Sequence, residues 1–398
     1  MNINSPTLFI EINKLEYIFS VSDIDGNGDF QLIYKKLISI QGIHKNKIID
    51  FDLANKIIKE NIYLLEQKIN FTFKNTIIIL NNFEVTFINL TGFKKLNGSQ
   101  LLKENITYIL NSLKSNIDNF ELQKKIIHIF NLKYNLDKKR ITNIPIGLFG
   151  DFYSHEMSFC LIKKNDFRNL NNLLNKCNLK ISKILSKNFV EGVYLSEKHK
   201  GLDTFFTIEI NENNSQIFYF ENDALIFEQS FDFGSDLVIN DISKITFLNK
   251  KIIKNFLLTS KLNNKTSNQD LLEKEFFIGE NYRKIKKSLI NEIASARIQE
   301  LAEVILTKNI NLFNYNKKNK TVFLKINDSS NLENFKDSYK FFFSKKNFFN
   351  HKFIEKIDTE NIVSKASKLI QYGWKKEAVP VISTKKSLIV RLFEAIFG

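Results

Sequence analysis

The chain has 398 residues, of which 43% are hydrophobic, and a formal net charge of +15 at pH 7. This length exceeds what one compact core usually supports, so we expect two domains or lobes. No run approaches the roughly 20 consecutive apolar residues of a spanning helix, and the N-terminal stretch lacks the features of a signal peptide. The positive charge is mostly lysine spread along the chain, which argues against a nucleic-acid partner.

The first half is predicted to open with three strands, followed by a helix and a buried strand. The strands lie in FIEI, LEYIFSV and FQLIYKKLISI, the helix in FDLANKIIKENIYLLEQK and the buried strand in NTIIILN. Residues 83–160 form a separate α+β block with strand EVTFINL, helix SQLLKENITYILNSLK and strands near KKIIHIFNLKY and HEMSFCLI. Helix FRNLNNLLNKC and strand LKISKILS follow.

The second half repeats this opening. The tetrapeptide IEIN occurs at residues 10–13 and again at 208–211, and TFFTIEI, SQIFYF and ALIFEQSFDF are again three consecutive strands. Next come a mainly helical region at 234–310 with the long helix YRKIKKSLINEIASARIQELAEVILTK, strand TVFLKIN and helix VSKASKLIQYG. The repeat predicts an internal duplication, with two related α/β lobes that each begin with a strand hairpin.

The segment DIDGNGDFQLIY resembles a calcium loop, with Asp23, Asp25, Asn27 and Gly28 at ligand and glycine positions. Its twelfth position is Tyr34 where such a loop has a bidentate Glu, and it lies between strands instead of helices. A hairpin turn is the better interpretation. The five histidines and two cysteines show no metal-ligand spacing, so we predict no metal site, and no nucleophile signature indicates a catalytic residue.

An amphipathic segment, residues 386–398, follows an irregular linker at 375–385. Apolar side chains recur there at helical spacing between cationic ones, and together they are predicted to bind a membrane surface: Lys385, Lys386, Leu388, Ile389, Arg391, Leu392, Phe393, Ile396 and Phe397. Burying six such apolar side chains contributes roughly 9–18 kcal/mol as an upper bound, and ordering the helix offsets much of it. One segment therefore binds weakly, and a polymer carrying many binds firmly. The alternative is a helix docked on the protein's own core.

The order of elements resembles the bacterial cell-division actin homologue FtsA over most of the chain. The segments NIPIGLFGDFYSHEMSFCLI, CNLKISKILSKNFVEGVYL, IASARIQELAEVI and SKASKLIQYG are similar to motifs of that family, in the same order. The resemblance implies an α/β, actin-like (ribonuclease H-like) duplicated two-lobe fold with an inserted α+β subdomain. Its expected parts are a first lobe at 1–82, the insert at 83–160, a second lobe at 161–233 and 311–374, a helical subdomain at 234–310, the linker and the membrane helix.

In the actin superfamily, backbone N–H groups of one hairpin turn per lobe hold the nucleotide phosphates, and a carboxylate before each turn orients hydrated Mg²⁺. The resemblance places a degenerate site of this kind at Glu11, Asn13, Lys14, Glu209, Asn211, Asn213, Asn214 and Asn327. Four or more turn glycines of the family are replaced, although asparagine tolerates left-handed backbone and is expected to preserve the turn shape. Because Asn side chains fill space needed by phosphate oxygens and Glu212 adds a repelling charge, we expect weak or absent binding of ATP and Mg²⁺.

The family's partners are implied in the same way. They are the FtsZ C-terminal peptide, further copies of the chain through 83–160, later division proteins, and the inner face of the cytoplasmic membrane at the division site. Arg297 is the candidate contact for the peptide. Lys284, Lys286 and Lys287, predicted on the same helix, either steer the peptide or form only a solvated lysine face. Two alternatives stay open: a pilus-assembly scaffold similar to PilM, and an ATPase or sugar kinase of the actin superfamily. The expected ending in a membrane-binding segment argues against the first, and the altered phosphate turns argue against the second.

Overall fold

The computed structural model describes residues 6–25, 29–44, 47–81, 83–259, 270–315, 320–344, 349–374 and Glu377. Contacts between Cα atoms divide the chain into two compact units. One comprises the described residues up to Val190 together with those from Val363 onwards, and the other is Glu191–Ile362.

The first unit begins as the sequence predicts. In chain order its elements are β1 (Thr7–Ile12), β2 (Glu16–Ile24), β3 (Phe30–Ser39), the short β4 (Ile43–His44) and β5 (Lys47–Ile48), α1 (Phe51–Ile69) and β6 (Asn75–Leu80). β1, β2 and β3 are antiparallel neighbours, and β6 is parallel to β1. β2 ends at Ile24 and β3 begins at Phe30, both within the segment that resembles a calcium loop. These two residues are register partners, so the segment belongs to an antiparallel hairpin, as predicted.

Helix α1 has ordinary local causes. The side chain of Asp50 accepts a hydrogen bond from the backbone N–H of Leu53 at its start, and Asn70 ends it in the left-handed conformation with φ 55°. Its buried face, including Ala54, Ile58 and Leu65, packs into the same apolar core as β1 and β2. The helix thereby covers one side of the sheet.

The inserted block follows β6 and has its own four-stranded sheet and core. Its elements are β7 (Val85–Lys95), α2 (Lys103–Phe120), β8 (Lys124–Leu136), β9 (Lys139–Ile141) and β10 (Phe152–Lys163), and the sheet order is β7-β10-β8-β9. Apolar residues of α2 such as Ile109 and Leu113 lie against Gly92 of β7 and share one core with Met157 and Phe159 of β10. Helix α2 begins at Lys103, later than predicted, because Gln100 forms an isolated antiparallel bridge with Phe149.

The first unit continues past the predicted boundary at residue 161. Helix α3 (Lys164–Asn175) and strand β11 (Lys180–Ser186) follow β10, and β11 pairs in parallel with β6 to give the sheet order β11-β6-β1-β2-β3. Leu170, Leu173 and Ile184 lie in the core of this unit. The second unit therefore starts at Glu191, because the chain leaves the first sheet only after β11.

The second unit reproduces the same opening topology. Its elements are the continuation of α4 (Lys187–Lys198), then β12 (Phe205–Ile210), β13 (Ser215–Glu221), β14 (Ala224–Phe231), α5 (Asp236–Thr246), α6 (Lys250–Thr259), α7 (Lys287–Ala302), β15 (Lys320–Ile326), α8 (Ser329–Phe343) and β16 (Phe349–Phe353). β12, β13 and β14 are antiparallel neighbours, β15 is parallel to β12, and the order is β14-β13-β12-β15-β16. The duplication inferred from the repeated IEIN is confirmed.

Two predicted helices differ from the structure, and two further helices were missed. The long helix predicted from residue 282 begins as α7 at Lys287, because Lys286 is extended and bridges Leu271, and it ends in a π-helical turn, Glu303–Thr307. Lys284 and Lys286 therefore do not lie on the helix of Arg297. α4 and α8 were not predicted. Helix α9 (Thr359–Tyr372), expected at the end of the second lobe, contacts the first unit from Val363 onwards, where Ser367 Oγ donates to Ser22 Oγ at 3.0 Å.

The predicted linker and membrane-binding segment lie outside the described residues, apart from Glu377. This applies to every residue proposed for membrane binding, from Lys385 to Phe397. Within the described ranges, none of the helices combines the length and the apolar character that crossing a bilayer requires.

Candidate functional site

The turn between β1 and β2 is stabilised by the side chain of Asn13. The backbone N–H of Asn13 donates to the carbonyl of Glu16 at 3.1 Å. Oδ1 of Asn13 accepts from the backbone N–H groups of Leu15 and Glu16, both at 2.8 Å. An oxygen that accepts from two successive backbone donors occupies the place of an anion in a turn of this kind. The N–H groups that the sequence assigns to phosphate binding are thus already used.

Glu11, one residue before the end of β1, is paired with a lysine of the same unit. Its Oε1 lies 2.7 Å from Nζ of Lys187, and the Asn81 amide nitrogen is 3.5 Å from the same oxygen. Only 4% of the Glu11 side chain and 11% of the Lys187 side chain is exposed. Asn81 follows β6 and Lys187 follows β11. Because these parallel strands end at the same edge of the sheet as β1, all three side chains meet there.

The second turn is held by amide side chains as well. The backbone N–H of Asn211 donates to the carbonyl of Asn214 at 2.9 Å. The amide nitrogen of Asn327, which follows β15, donates to Glu209 Oε1 at 2.6 Å and to Asn211 Oδ1 at 2.7 Å. Asn327 therefore links the carboxylate before the turn to the first residue of the turn.

The chain before α5 also fills the second turn. A Cβ at Gly234 would lie 2.0 Å from the carbonyl oxygen of Asn211, so only glycine fits against that backbone. The next two N–H groups, of Ser235 and Asp236, donate to the carbonyls of Asn211 and Glu212, each at 2.9 Å. The turn is packed against backbone where the family pattern requires room for a phosphate.

Lys325 provides the counter-charge for Glu209. The two residues are register partners on the parallel strands β15 and β12, and Lys325 Nζ lies 3.4 Å from Glu209 Oε2 and 3.6 Å from Glu191 Oε2. The exposed fractions of the Lys325 and Glu191 side chains are 6% and 7%. Burial opposes the ammonium charge, but attraction to Glu191 and Glu209 outweighs it and raises the pKa of Lys325 above its ordinary value.

The predicted repelling charge of Glu212 is neutralised. Lys254 of α6 forms an ion pair with Glu212, and its Nζ also lies 3.8 Å from Asp236. The hydrogen bond to Glu212 raises the pKa of Lys254. Both members of the pair are exposed to solvent, so it adds little stability.

The conformational argument for asparagine in the turns is wrong. None of Asn13, Asn211, Glu212, Asn213 and Asn214 has a positive φ, whereas Asn70, Asn97, Asn178 and Asn222 do. Asn13 and Asn211 act through their side-chain oxygens, which accept hydrogen bonds within the site. Lys14 and Asn213 are exposed at the tips of the two turns, and Asn214 is partly buried.

These residues do not fit a magnesium nucleotide. In the first turn, the N–H groups of Leu15 and Glu16 donate to Oδ1 of Asn13. The second turn is filled by the backbone before α5. The two carboxylates expected to orient hydrated Mg²⁺ each contact a buried lysine. A cation placed there would compete with ammonium groups that already compensate the charge.

Arg297 is also engaged within its own unit. Its Nε donates to Asp241 of α5, and Nη1 lies 2.7 Å from Glu300 Oε2 one turn along α7. The side chain is 24% exposed. A peptide carboxylate would have to share or displace these partners, and the role of Arg297 in peptide binding stays a prediction.

Sequence reasoning missed Lys187, Glu191 and the role of Lys325. A signal existed for Lys325, because it interrupts the apolar strand TVFLKI, and a lysine buried in a strand requires a charged partner. Lys187 gives no such signal, because it follows the strand KISKILS and begins helix α4. The partner acids lie far away in the chain, so only the sheet pairing reveals them.

Two sheets of the same topology, each with a hairpin carboxylate at the edge where parallel neighbours end, define an actin-like α/β protein with an inserted α+β subdomain. A chain of the PilM-PilN type IV pilus biogenesis complex has this fold, with a TM-score of 0.50 and 11% identity, covering 94% of this chain and 98% of that one. No family model matches the chain.

At the level of sequence, the chain is similar to cell division protein FtsA, and the resemblance inferred from its motifs is confirmed. It is 22% identical over 303 residues to FtsA of Buchnera aphidicola subsp. Schizaphis graminum, covering 74% of this chain and 71% of that protein. It is 19% identical over 271 residues to FtsA of Agrobacterium fabrum, covering 67% of this chain and 60% of the relative.

Proposed function

We propose that this chain is a cell-division adaptor of the FtsA type. It polymerises at the cytoplasmic face of the inner membrane at the division site, tethers FtsZ filaments and recruits later septum proteins. The observation that carries this proposal is the similarity over 303 residues to a protein named for cell division. The fold supports it, because the insert between β6 and α3 lies where the resemblance expects a subdomain for assembly.

A scaffold role agrees with the chemistry of the two hairpins better than an enzymatic one. A phosphotransfer enzyme needs free backbone donors and a metal-binding carboxylate at its phosphate turns. Here the described donors already donate to the Asn13 side chain or to backbone carbonyls, and the carboxylates are paired with Lys187 and Lys325. Adaptor function requires surfaces and not turnover.

The inserted block presents an exposed apolar surface suited to self-association. Phe93 and Phe152 stack with ring centroids 5.7 Å apart at the strand ends of β7 and β10, and Phe149, which precedes Phe152 by three positions, is 68% exposed. Aromatic side chains of this kind are enriched at protein interfaces. We assign this aromatic surface, defined by Phe93, Phe149 and Phe152, to contact between copies of the chain.

Membrane attachment is tested by co-sedimentation with anionic liposomes. The full chain is compared with one truncated after Lys385 and with one in which Leu392 and Phe393 are both replaced by Ser. The full chain should pellet with the vesicles and both variants should stay in the supernatant. Equal pelleting of all three contradicts the assigned role of the final segment.

The division role is tested separately by fluorescent tagging in dividing cells. A midcell band that requires FtsZ supports the adaptor. The second candidate is a pilus-assembly scaffold, favoured by the fold shared with a chain of the PilM-PilN complex. Polar or diffuse fluorescence, with no binding of the FtsZ C-terminal peptide, would favour that candidate.

A further inference from the structure

We propose that the ammonium of Lys325 takes the place of a divalent cation, so that the second unit contains a latent cation site that opens when this single charge is removed. The inference concerns the chemistry of the second hairpin and does not depend on the division role. It follows from the disagreement between the residues present and a magnesium nucleotide.

Two carboxylates face the ammonium of Lys325. Oε2 of Glu191 and Oε2 of Glu209 lie 3.6 and 3.4 Å from one nitrogen atom, on opposite elements, α4 and β12. The exposed fractions of the Glu191 and Glu209 side chains are 7% and 16%. Two carboxylates with so little access to solvent repel each other, and a cation between them offsets this repulsion. Lys325 is the cation that this chain supplies.

Both of these carboxylates are carried by regular secondary-structure elements. Glu209 is fixed on a central strand, and Asn327 donates to its Oε1 at 2.6 Å, which leaves Oε2 to face Lys325. Glu191 lies on a helix and is nearly buried. Carboxylate oxygens held on regular elements are suitable ligands for Mg²⁺, Mn²⁺ or Ca²⁺, which bind oxygen at about 2.0–2.6 Å.

The first unit provides a matched comparison. Lys187 also neutralises a hairpin carboxylate, but among the described residues its ammonium contacts one carboxylate, that of Glu11, and the other side chain at this carboxylate is the neutral amide of Asn81. One carboxylate and one amide hold a divalent ion less firmly than two carboxylates. Removing Lys187 should therefore destabilise the protein without making it responsive to cations.

The experiment measures thermal unfolding of the full chain with and without divalent cations at constant ionic strength. Wild type, Lys325→Ala and Lys187→Ala are heated in chelator and in about 10 mM Mg²⁺, Mn²⁺ or Ca²⁺, a concentration above the Kd of weak oxygen sites. Lys325→Ala should melt lower than wild type in chelator and regain about 3–8 °C with at least one cation. Wild type and Lys187→Ala should shift by less than about 1 °C.

The double variant Lys325→Ala/Glu209→Gln identifies the ligand. It lacks one carboxylate and should lose the cation response at the second hairpin. Calorimetric titration of Lys325→Ala should give one site per chain. A folded Lys325→Ala that does not respond, or a response of equal size in wild type, overturns the proposal.

A second variant covers the case in which Lys325→Ala does not fold. Lys325→Gln is neutral, preserves most of the packed stem and adds an amide oxygen. If either variant folds only with a divalent cation in the buffer, the proposal is supported. If neither folds with any of the three cations, the cation does not replace the ammonium and the proposal fails.

Discussion

Nζ of Lys187 lies 2.7 Å from Oε1 of Glu11, and both side chains are almost fully buried. Removing two charges from water is costly, and the pair offsets this cost only while both members are present. The carboxylate at the first hairpin is therefore integrated in the core of its unit.

Replacing Lys187 by Met is expected to destabilise the first unit by about 3–5 kcal/mol, because the Glu11 carboxylate is left buried without a counter-charge. Urea-induced unfolding followed by circular dichroism measures the loss. The double variant Lys187→Met/Glu11→Gln removes both charges and should recover at least half of it. A double variant as unstable as Lys187→Met would mean that packing of the lysine stem, and not charge, determines the effect.

Glu377 is expected to make stability depend on pH in the acid range. Its Oε1 lies 2.8 Å from Nδ1 of buried His128, and Lys183 Nζ lies 3.0 Å from its Oε2. Since Nε2 of His128 accepts from the N–H of Ser186, Nδ1 is the nitrogen that donates to the carboxylate. Burial would raise the pKa of Glu377, but the His128 hydrogen bond and Lys183 lower it from 4.5 to about 2.

A carboxyl group whose pKa is lower in the folded than in the unfolded state stabilises the folded state at pH values above its unfolded-state pKa. This contribution is lost as the pH falls toward the folded-state pKa. The shift corresponds to about 3 kcal/mol. Glu377→Gln should thus be less stable than wild type by about that amount above about pH 5, and the difference should shrink as pH falls toward about 2. Urea unfolding at several pH values measures the stability difference between the two proteins. Glu84→Gln, which removes an exposed ion pair with Lys163, is the control and should show almost no difference.

The sequence was sufficient for much of the fold because the hairpins carry strong local signals. Alternating and β-branched runs located β1, β2, β12 and β13, and the repeated IEIN revealed the duplication. Helices α4 and α8 were missed because their local signals are mixed. α4 follows a strand without a break and contains Gly192, and α8 has a non-helical residue, Phe335, in its interior.

The site was less predictable because its important contacts are distant in sequence. Glu11 and Lys187 are 176 positions apart, and only the pairing of β6 and β11 with β1 brings them together. The acid before each turn was identified through the family resemblance, but its partner was not identified. Asn13 illustrates the same limit, because its residue type suggested a backbone conformation and the structure gives it a hydrogen-bonding role.

Asn13→Gly is expected to destabilise the first unit by about 1–2 kcal/mol. The substitution removes the Oδ1 that accepts from the N–H groups of Leu15 and Glu16 and adds backbone freedom in the unfolded chain. Asn213→Gly at the exposed tip of the second turn is the matched control and should cost less than about 0.5 kcal/mol. Equal losses for the two variants, measured by urea unfolding, would show that Asn13 contributes only through its backbone.

Substitution of the aromatic surface should weaken self-association without unfolding the chain. Phe93→Ser/Phe149→Ser removes two side chains that are 63% and 68% exposed, so the loss of stability should be small. Analytical ultracentrifugation on lipid-free protein and pelleting with anionic vesicles should both show smaller assemblies. Phe313→Ser is the control, since Phe313 is 87% exposed in the second unit and lies outside this surface. An unchanged size distribution would exclude the aromatic surface as the contact.

Gly192→Ala is expected to reverse the usual effect of this substitution in a helix. At an ordinary interior position alanine stabilises a helix by about 1 kcal/mol relative to glycine. In α4 a Cβ at position 192 would lie 1.9 Å from Cζ of Phe220, a fully buried ring that stacks on Phe205. Moving the ring would disturb its buried stacking on Phe205, so the variant should lose about 1–3 kcal/mol in urea unfolding. The double variant Gly192→Ala/Phe220→Leu has a smaller side chain facing position 192 and should regain part of the lost stability. A Gly192→Ala protein as stable as wild type would mean that the ring of Phe220 moves aside at no cost.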